Sequence, residues 1–182
     1  MPAFHRWAFG SETRERVILN IGGMANISVL RSSAADSVQG FDTGPGNALL
    51  DGWNRRHGKG DYDRGGDWAR SGRVDSLLLA RLLKHPYFSL APPKSTGREE
   101  FNLAWLDGLL NGVDVADRDV QATLLTFTAT TIADAILGTL PESGEVFVCG
   151  GGINNACLME QLRKRLEPRR VESTAALGIE PD

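Results

Sequence analysis

Residues 17–47 read VILNIGGMANISVLRSSAADSVQGFDTGPGN. Val17-Ile18-Leu19-Asn20-Ile21 is a short apolar run, the pattern of a buried strand. Gly22-Gly23 follows as a turn signal. Ala25–Leu30 alternates, as a strand with one buried face does. Residues 17–30 therefore read as a β-hairpin with a glycine tip. Residues 31–37 are a polar loop, and Val38–Asp42 is a third short strand. Thr43-Gly44-Pro45-Gly46-Asn47 breaks that strand, and a helix follows over 48–56.

Outward from this stretch, residues 57–72 hold Gly58, Gly60, Gly65, Gly66 and Gly72 among charges and read as a loop. A leucine-rich helix over 74–84 is stopped by Pro86. Residues 91–98 are irregular. Asn102 is placed to cap a helix over 103–111. Residues 119–139 give the longest helical pattern, with Leu125, Ile132 and Ile136 among its apolar positions. It would span roughly 30 Å at ~1.5 Å per residue, and Pro141 ends it. Glu145–Cys149 is a strand, broken by Gly150-Gly151-Gly152. Asn154 or Asn155 caps a helix whose Leu158, Leu162 and Leu166 lie one turn apart. Residues 171–174 form a last strand. The order is βββ, helices, β, α, β: one α/β domain over 17–182 with a helical insertion near 57–111, preceded by an irregular stretch over 1–16.

Composition narrows the function. The chain has 182 residues and a net charge of −3, which argues against a nucleic-acid binder led by phosphate neutralisation. No apolar run reaches the ~18 residues of a membrane span. Met1–Gly10 lacks the apolar core of a signal peptide, and two cysteines are too few for a disulfide framework. These readings point to the cytoplasm. Glycine, at 21 of 182 residues, exceeds the usual ~7%, and the excess clusters in turns.

Three of those turns are candidates for chemistry. Asp42–Asn47 joins a strand to a helix. A helix N-terminus with free N–H groups suits phosphate. Gly44 and Gly46 would let the backbone approach it, and Thr43 and Asn47 would add hydrogen bonds. Asp42 beside that phosphate could hold Mg²⁺, directly or through water. The plainer reading is a capped turn with Pro45 near the helix start. Gly22-Gly23 can bind an anion through its N–H groups, or be only a tight turn. Gly150-Gly151-Gly152, with Asn154 behind, leaves room for a base or ribose, or is only a flexible connection. It is not a dinucleotide fingerprint, because Asn155 stands where the last glycine should be. A P-loop, a nucleophile elbow and a His-Glu-x-x-His helix are all missing. His5, His57 and His85 lie too far apart in sequence for a metal cluster. Asp61-Tyr62-Asp63 lacks the glutamate of a calcium loop.

Five stretches in order carry a resemblance: Asn20–Ile27, Gly40–Asn47, Pro92–Glu99, Asp119–Leu124 and Cys149–Gly152. On these the chain resembles the C-terminal half of the anhydro-N-acetylmuramic acid kinases, sugar kinases of the actin-like ATPase superfamily. The resemblance implies a ribonuclease-H-like lobe, with the helical insertion helping to form the sugar site or a homodimer contact. It implies ATP and Mg²⁺ as cofactors and a small sugar as substrate. Water would open the 1,6-anhydro ring and O6 would be phosphorylated, giving N-acetylmuramic acid 6-phosphate in peptidoglycan recycling. By resemblance, Gly22, Gly23 and Asp42–Asn47 form the second phosphate segment and Gly150–Gly152 the adenosine segment.

The family is about twice as long. Its first phosphate loop and its general-base aspartate have no counterpart here, and it continues beyond Pro181-Asp182 into another helix. The chain alone is therefore expected to lack turnover, since phosphoryl transfer depends on positioning between two lobes. Two other readings stand beside this one. One is a non-catalytic ATP- or sugar-binding module, including a pseudokinase subunit. The other is a different transferase of the same superfamily.

Overall fold

The computed structural model describes residues 15–31, 38–140 and 144–181. Residues 1–14 of the stretch read as irregular, most of the polar loop and Pro141 lie outside the described residues. Arg16, expected to be irregular, instead opens the first strand, and the long helix read over 119–139 ends at Leu137, ahead of Pro141. A five-stranded sheet runs in the order β3-β2-β1-β4-β5. Its strands are β1 (Arg16–Ile21), β2 (Met24–Leu30), β3 (Val38–Pro45), β4 (Glu145–Cys149) and β5 (Arg170–Ser173). The first three are antiparallel neighbours, with Ile21 opposite Ala25 across the glycine tip. β4 joins β1 in parallel, and β5 joins β4. This is the βββ-α…β-α-β arrangement that the resemblance implies.

The sheet is buried on both faces. Val17, Leu19, Ile21, Ile27, Val29 and Phe41 point into the main core with the helices. Ile18, Leu30 and Phe147 point the other way, against Leu177 and Ile179 of the C-terminal stretch. Burial on both sides explains why β1 reads as an apolar run and not as an alternation.

β3 corrects the expectation that Thr43 breaks it. The strand continues to Pro45, which β3 tolerates because it is an edge. A register shift between Ala25 and Asn26 leaves Thr43 unpaired. The Thr43 hydroxyl donates to the Ala25 carbonyl at 3.2 Å, so the irregularity is held in place.

The helices are α1 (Ala48–Arg56), α2 (Asp67–Ser71), α3 (Ser76–Leu83), α4 (Leu103–Leu110), α5 (Asp117–Leu137) and α6 (Ala156–Leu166). Asn102 and Asn155 cap α4 and α6, accepting from Trp105 and Leu158. The second settles which of Asn154 and Asn155 is the cap. α2 lies inside the stretch expected to be loop. Its glycines serve the turn before it, and Asp63 holds its first amides through bonds to Trp68 N–H and Ala69 N–H, both 2.9 Å. That short helix has no apolar repeat to betray it.

α5 runs through the core, and its buried residues follow one another from Val120 to Ala129 on all sides. By length and composition alone it is apolar enough to cross a membrane, which counting unbroken apolar runs does not reveal. Some 78% of its most apolar stretch is buried inside the protein, so α5 is the core helix of this fold. Its threonines tolerate burial by bonding back to the helix: Thr123 to the Asp119 carbonyl at 2.6 Å and Thr130 to the Thr126 carbonyl at 2.8 Å.

Candidate functional site

The three glycine turns meet at one end of the sheet. Gly46 N–H and Ala48 N–H donate to the Gly23 carbonyl at 2.9 and 3.0 Å, and Asn47 N–H donates to the Gly22 carbonyl at 2.8 Å. The approach is close enough that a Cβ on Gly46 would stand 2.4 Å from the Gly22 oxygen. The expectation of free amides at the start of α1 is therefore corrected for Gly46, Asn47 and Ala48. The hairpin tip caps that helix with its carbonyls, and those N–H groups are spent. Both peptides at the tip are trans, so the Gly23 N–H points opposite to the Gly22 carbonyl, away from α1.

On the third turn, Gly150 has φ +81° and packs against β1, where a Cβ would meet Asn20 Oδ1 at 2.3 Å. Gly152 packs the same way against Ile21 Cγ2, also at 2.3 Å. These two glycines seat the turn on the sheet. Gly151 differs, since nothing lies within 4 Å of its added Cβ.

A cleft of about 340 Å³ opens between these turns, lined by Asn47, Asp51, Tyr62, Asp63, Gly151, Asn154 and Asn155. It brings Asn47 from one predicted turn together with Gly151 and Asn154 from another. Asp51, Tyr62, Asp63 and Asn155 were not anticipated. Asp51 lies one turn beyond Asn47 on α1 and so shares its face, a signal the sequence did contain. Tyr62 and Asp63 belong to the stretch set aside as a failed calcium loop. Tyr62 is 55% exposed, which leaves an aromatic face open in the cleft. Burial pushes the Asp51 carboxyl up, while Arg55 and Arg98 pull it down.

Asp42, Thr43 and Gly44 do not line this cleft. Thr43 is 1% exposed and its hydroxyl is engaged on Ala25, so its side chain does not reach a phosphate. Gly44 has φ +135°, and a Cβ there would stand 2.9 Å from Phe88 Cε1. It is small to admit an aromatic ring, not a ligand. Asp42 is tied to the Pro92–Glu99 stretch. Ser95 Oγ and Thr96 N–H donate to its Oδ2 at 2.9 and 3.0 Å. Its own N–H donates to the Lys94 carbonyl at 3.0 Å, and Tyr87 Oη donates to its carbonyl at 2.6 Å. Among the described residues there is no cluster of three or more His, Cys, Asp or Glu that could hold a metal. Asp42 Oδ1 takes none of the hydrogen bonds named, which leaves one carboxylate oxygen for a water-borne ion.

A family model described as anhydro-N-acetylmuramic acid kinase matches residues 1–182. The chain belongs to that family. A kinase of this name from Shewanella oneidensis is 51% identical over the whole chain, which covers 49% of the relative. One from Xanthomonas axonopodis is 47% identical, with 48% of it covered. The chain thus spans about half the length of the curated family members it matches. Among solved structures, the activator of 2-hydroxyisocaproyl-CoA dehydratase from Clostridium difficile, with bound ADPNP, superposes with a TM-score of 0.56. It is 14% identical and covers 96% of this chain and 60% of that one. At that identity the likeness speaks for the fold alone, a mixed α/β lobe built on a five-stranded sheet.

Proposed function

We propose that this chain is the nucleotide-binding lobe of an ATP-dependent kinase that opens 1,6-anhydro-N-acetylmuramic acid with water and phosphorylates its O6. The product would be N-acetylmuramic acid 6-phosphate, released during peptidoglycan recycling, in the cytoplasm where ATP is supplied. The activity is that of the whole protein. The observation that carries the reading is the cleft, where Asn47 from the β3–α1 turn meets Gly151 and Asn154 from the β4–α6 turn. That the structural neighbour binds ADPNP supports the same assignment.

The residues present fit a nucleoside. Gly151 offers backbone without a side chain, Tyr62 offers an open ring on which a base can stack, and Asn154 offers an amide to a base or ribose edge. Asn47 and the Gly22–Gly23 tip stand toward the phosphates. ATP supplies the phosphoryl group, and Mg²⁺ neutralises charge as it transfers. Asp42 would meet that ion through water, since Mg²⁺ keeps several waters and takes only one or two carboxylates.

Calorimetric titration of Mg²⁺·ADP into the folded chain tests this. One-site binding that weakens when Gly151 is replaced by a bulky residue supports it. A folded chain that binds neither ADP nor adenosine would overturn it.

A further inference from the structure

Arg98 is exposed, yet its guanidinium lies against the Gly23 backbone. A Cβ on Gly23 would stand 3.1 Å from Nη2 and 3.5 Å from Nε. None of the ion pairs among the described residues includes Arg98. The backbone on both sides of it is fixed. Upstream, Asp42 grips Lys94, Ser95 and Thr96, and Thr96 Oγ1 donates to Glu100. Downstream, Asn102 Nδ2 donates to the Arg98 carbonyl at 3.1 Å. An unpaired arginine on a long side chain gains little from lying on a glycine turn. Here the whole segment is clamped so that it arrives there.

The cleft beside it lacks a cation. Its lining includes the carboxylates of Asp51 and Asp63 and no Lys or Arg. A phosphate entering this cleft would meet like charge unless the rim supplied the opposite sign. Two cations act on Asp51 from the rim, Arg55 and Arg98. Arg55 is engaged on the Asp61 carbonyl at 3.0 Å, and Arg98 is the one that lies over the Gly23 backbone. Its planar fork can take two oxygens of one phosphate.

We propose that Arg98 takes the phosphate oxygens of a nucleoside di- or triphosphate over the Gly22–Gly23 tip, and that Asp42, through Ser95 and Thr96, is the residue that positions it. The proposal rests on the nucleotide reading of the cleft.

The test is calorimetric titration of the 182-residue chain with ADP, adenosine and pyrophosphate, each with Mg²⁺, after circular dichroism shows every variant folded. Arg98→Ala should weaken ADP and pyrophosphate about tenfold, the scale of one charge-assisted contact, and leave adenosine unchanged. Arg98→Lys should recover part of the loss. In a parallel titration without Mg²⁺, which removes any ion-holding role of Asp42, Asp42→Ala should lose about as much as Arg98→Ala, and the double variant no more than either, because the two act as one unit. Arg98→Ala binding ADP and pyrophosphate as tightly as the parent would overturn the proposal. A parent chain that binds neither ADP nor adenosine refutes the nucleotide reading instead. Pyrophosphate then separates the two claims: binding that depends on Arg98 keeps its phosphate contact while the nucleoside is overturned, and absent or Arg98-independent binding overturns both.

Discussion

The Gly22 carbonyl accepts the backbone N–H of Asn47 at 2.8 Å. Through this bond the tip of the first hairpin and the first turn of α1 become one rigid unit, and Asn47 is presented to the cleft. The bond needs close approach, and Gly46 permits it by having no side chain.

Gly46→Ala should therefore destabilise the chain by about 1–3 kcal/mol, the usual cost of overpacking, and lower Tm by several degrees. Gly108→Ala is the matched control. Gly108 lies in α4 with nothing within 4 Å of an added Cβ, so alanine should stabilise by roughly 0.5–1 kcal/mol through helix propensity. Urea unfolding of both variants checks the contrast. Equal effects at the two positions would contradict the close-packed tip.

Tyr62 offers an exposed ring in the cleft. Tyr62→Ala should weaken adenosine and ADP by the same factor, about tenfold, since base stacking on an aromatic contributes ~1–3 kcal/mol. Tyr62→Phe should bind as the parent does. A loss confined to ADP would place Tyr62 on the phosphate side instead.

Asp42→Asn separates clamp from charge. The amide oxygen can still accept from Ser95 and Thr96, so metal-free ADP should bind as to the parent. The gain on adding Mg²⁺ should shrink, because the negative charge that attracts the ion is gone. A Mg²⁺ response as large as the parent's would leave Asp42 a structural role only.

Tyr87 is held neutral. Burial, with the negative charges of Asp42 and Glu100 nearby, pushes its phenol above the ordinary value of 10.0. Above pH 10 the unfolded chain therefore loses a proton that the folded chain keeps. The stability this gives is full below pH 10 and falls as pH rises beyond it. Ultraviolet titration at alkaline pH should show one phenol ionising late, and Tyr87→Phe should remove that late step.

Much of the fold was legible in the chain. The apolar run Val17–Ile21, the Gly22-Gly23 tip, the caps at Asn102 and Asn155 and the strand Glu145–Cys149 are local signals, set by side-chain period and turn chemistry. The five stretches pointed to the family whose model matches the chain. Two elements escaped. α2 is too short to show a repeat and depends on Asp63, a residue outside it. β3 runs on through Pro45 because it is an edge strand, a property no local pattern contains.

The cleft divided the same way. Which residue types could meet a nucleotide was written in the glycine turns. Which of them line the cleft was decided by packing across long sequence distances. Gly150 and Gly152 turn to β1, Gly44 makes room for Phe88, and Gly46 makes room for the Gly22 carbonyl. Only Gly151 faces open space among the predicted adenosine glycines. A glycine in a sequence records that a Cβ would not fit or would not turn. What occupies that place, whether ring, carbonyl, guanidinium or ligand, is fixed only when distant segments are brought together.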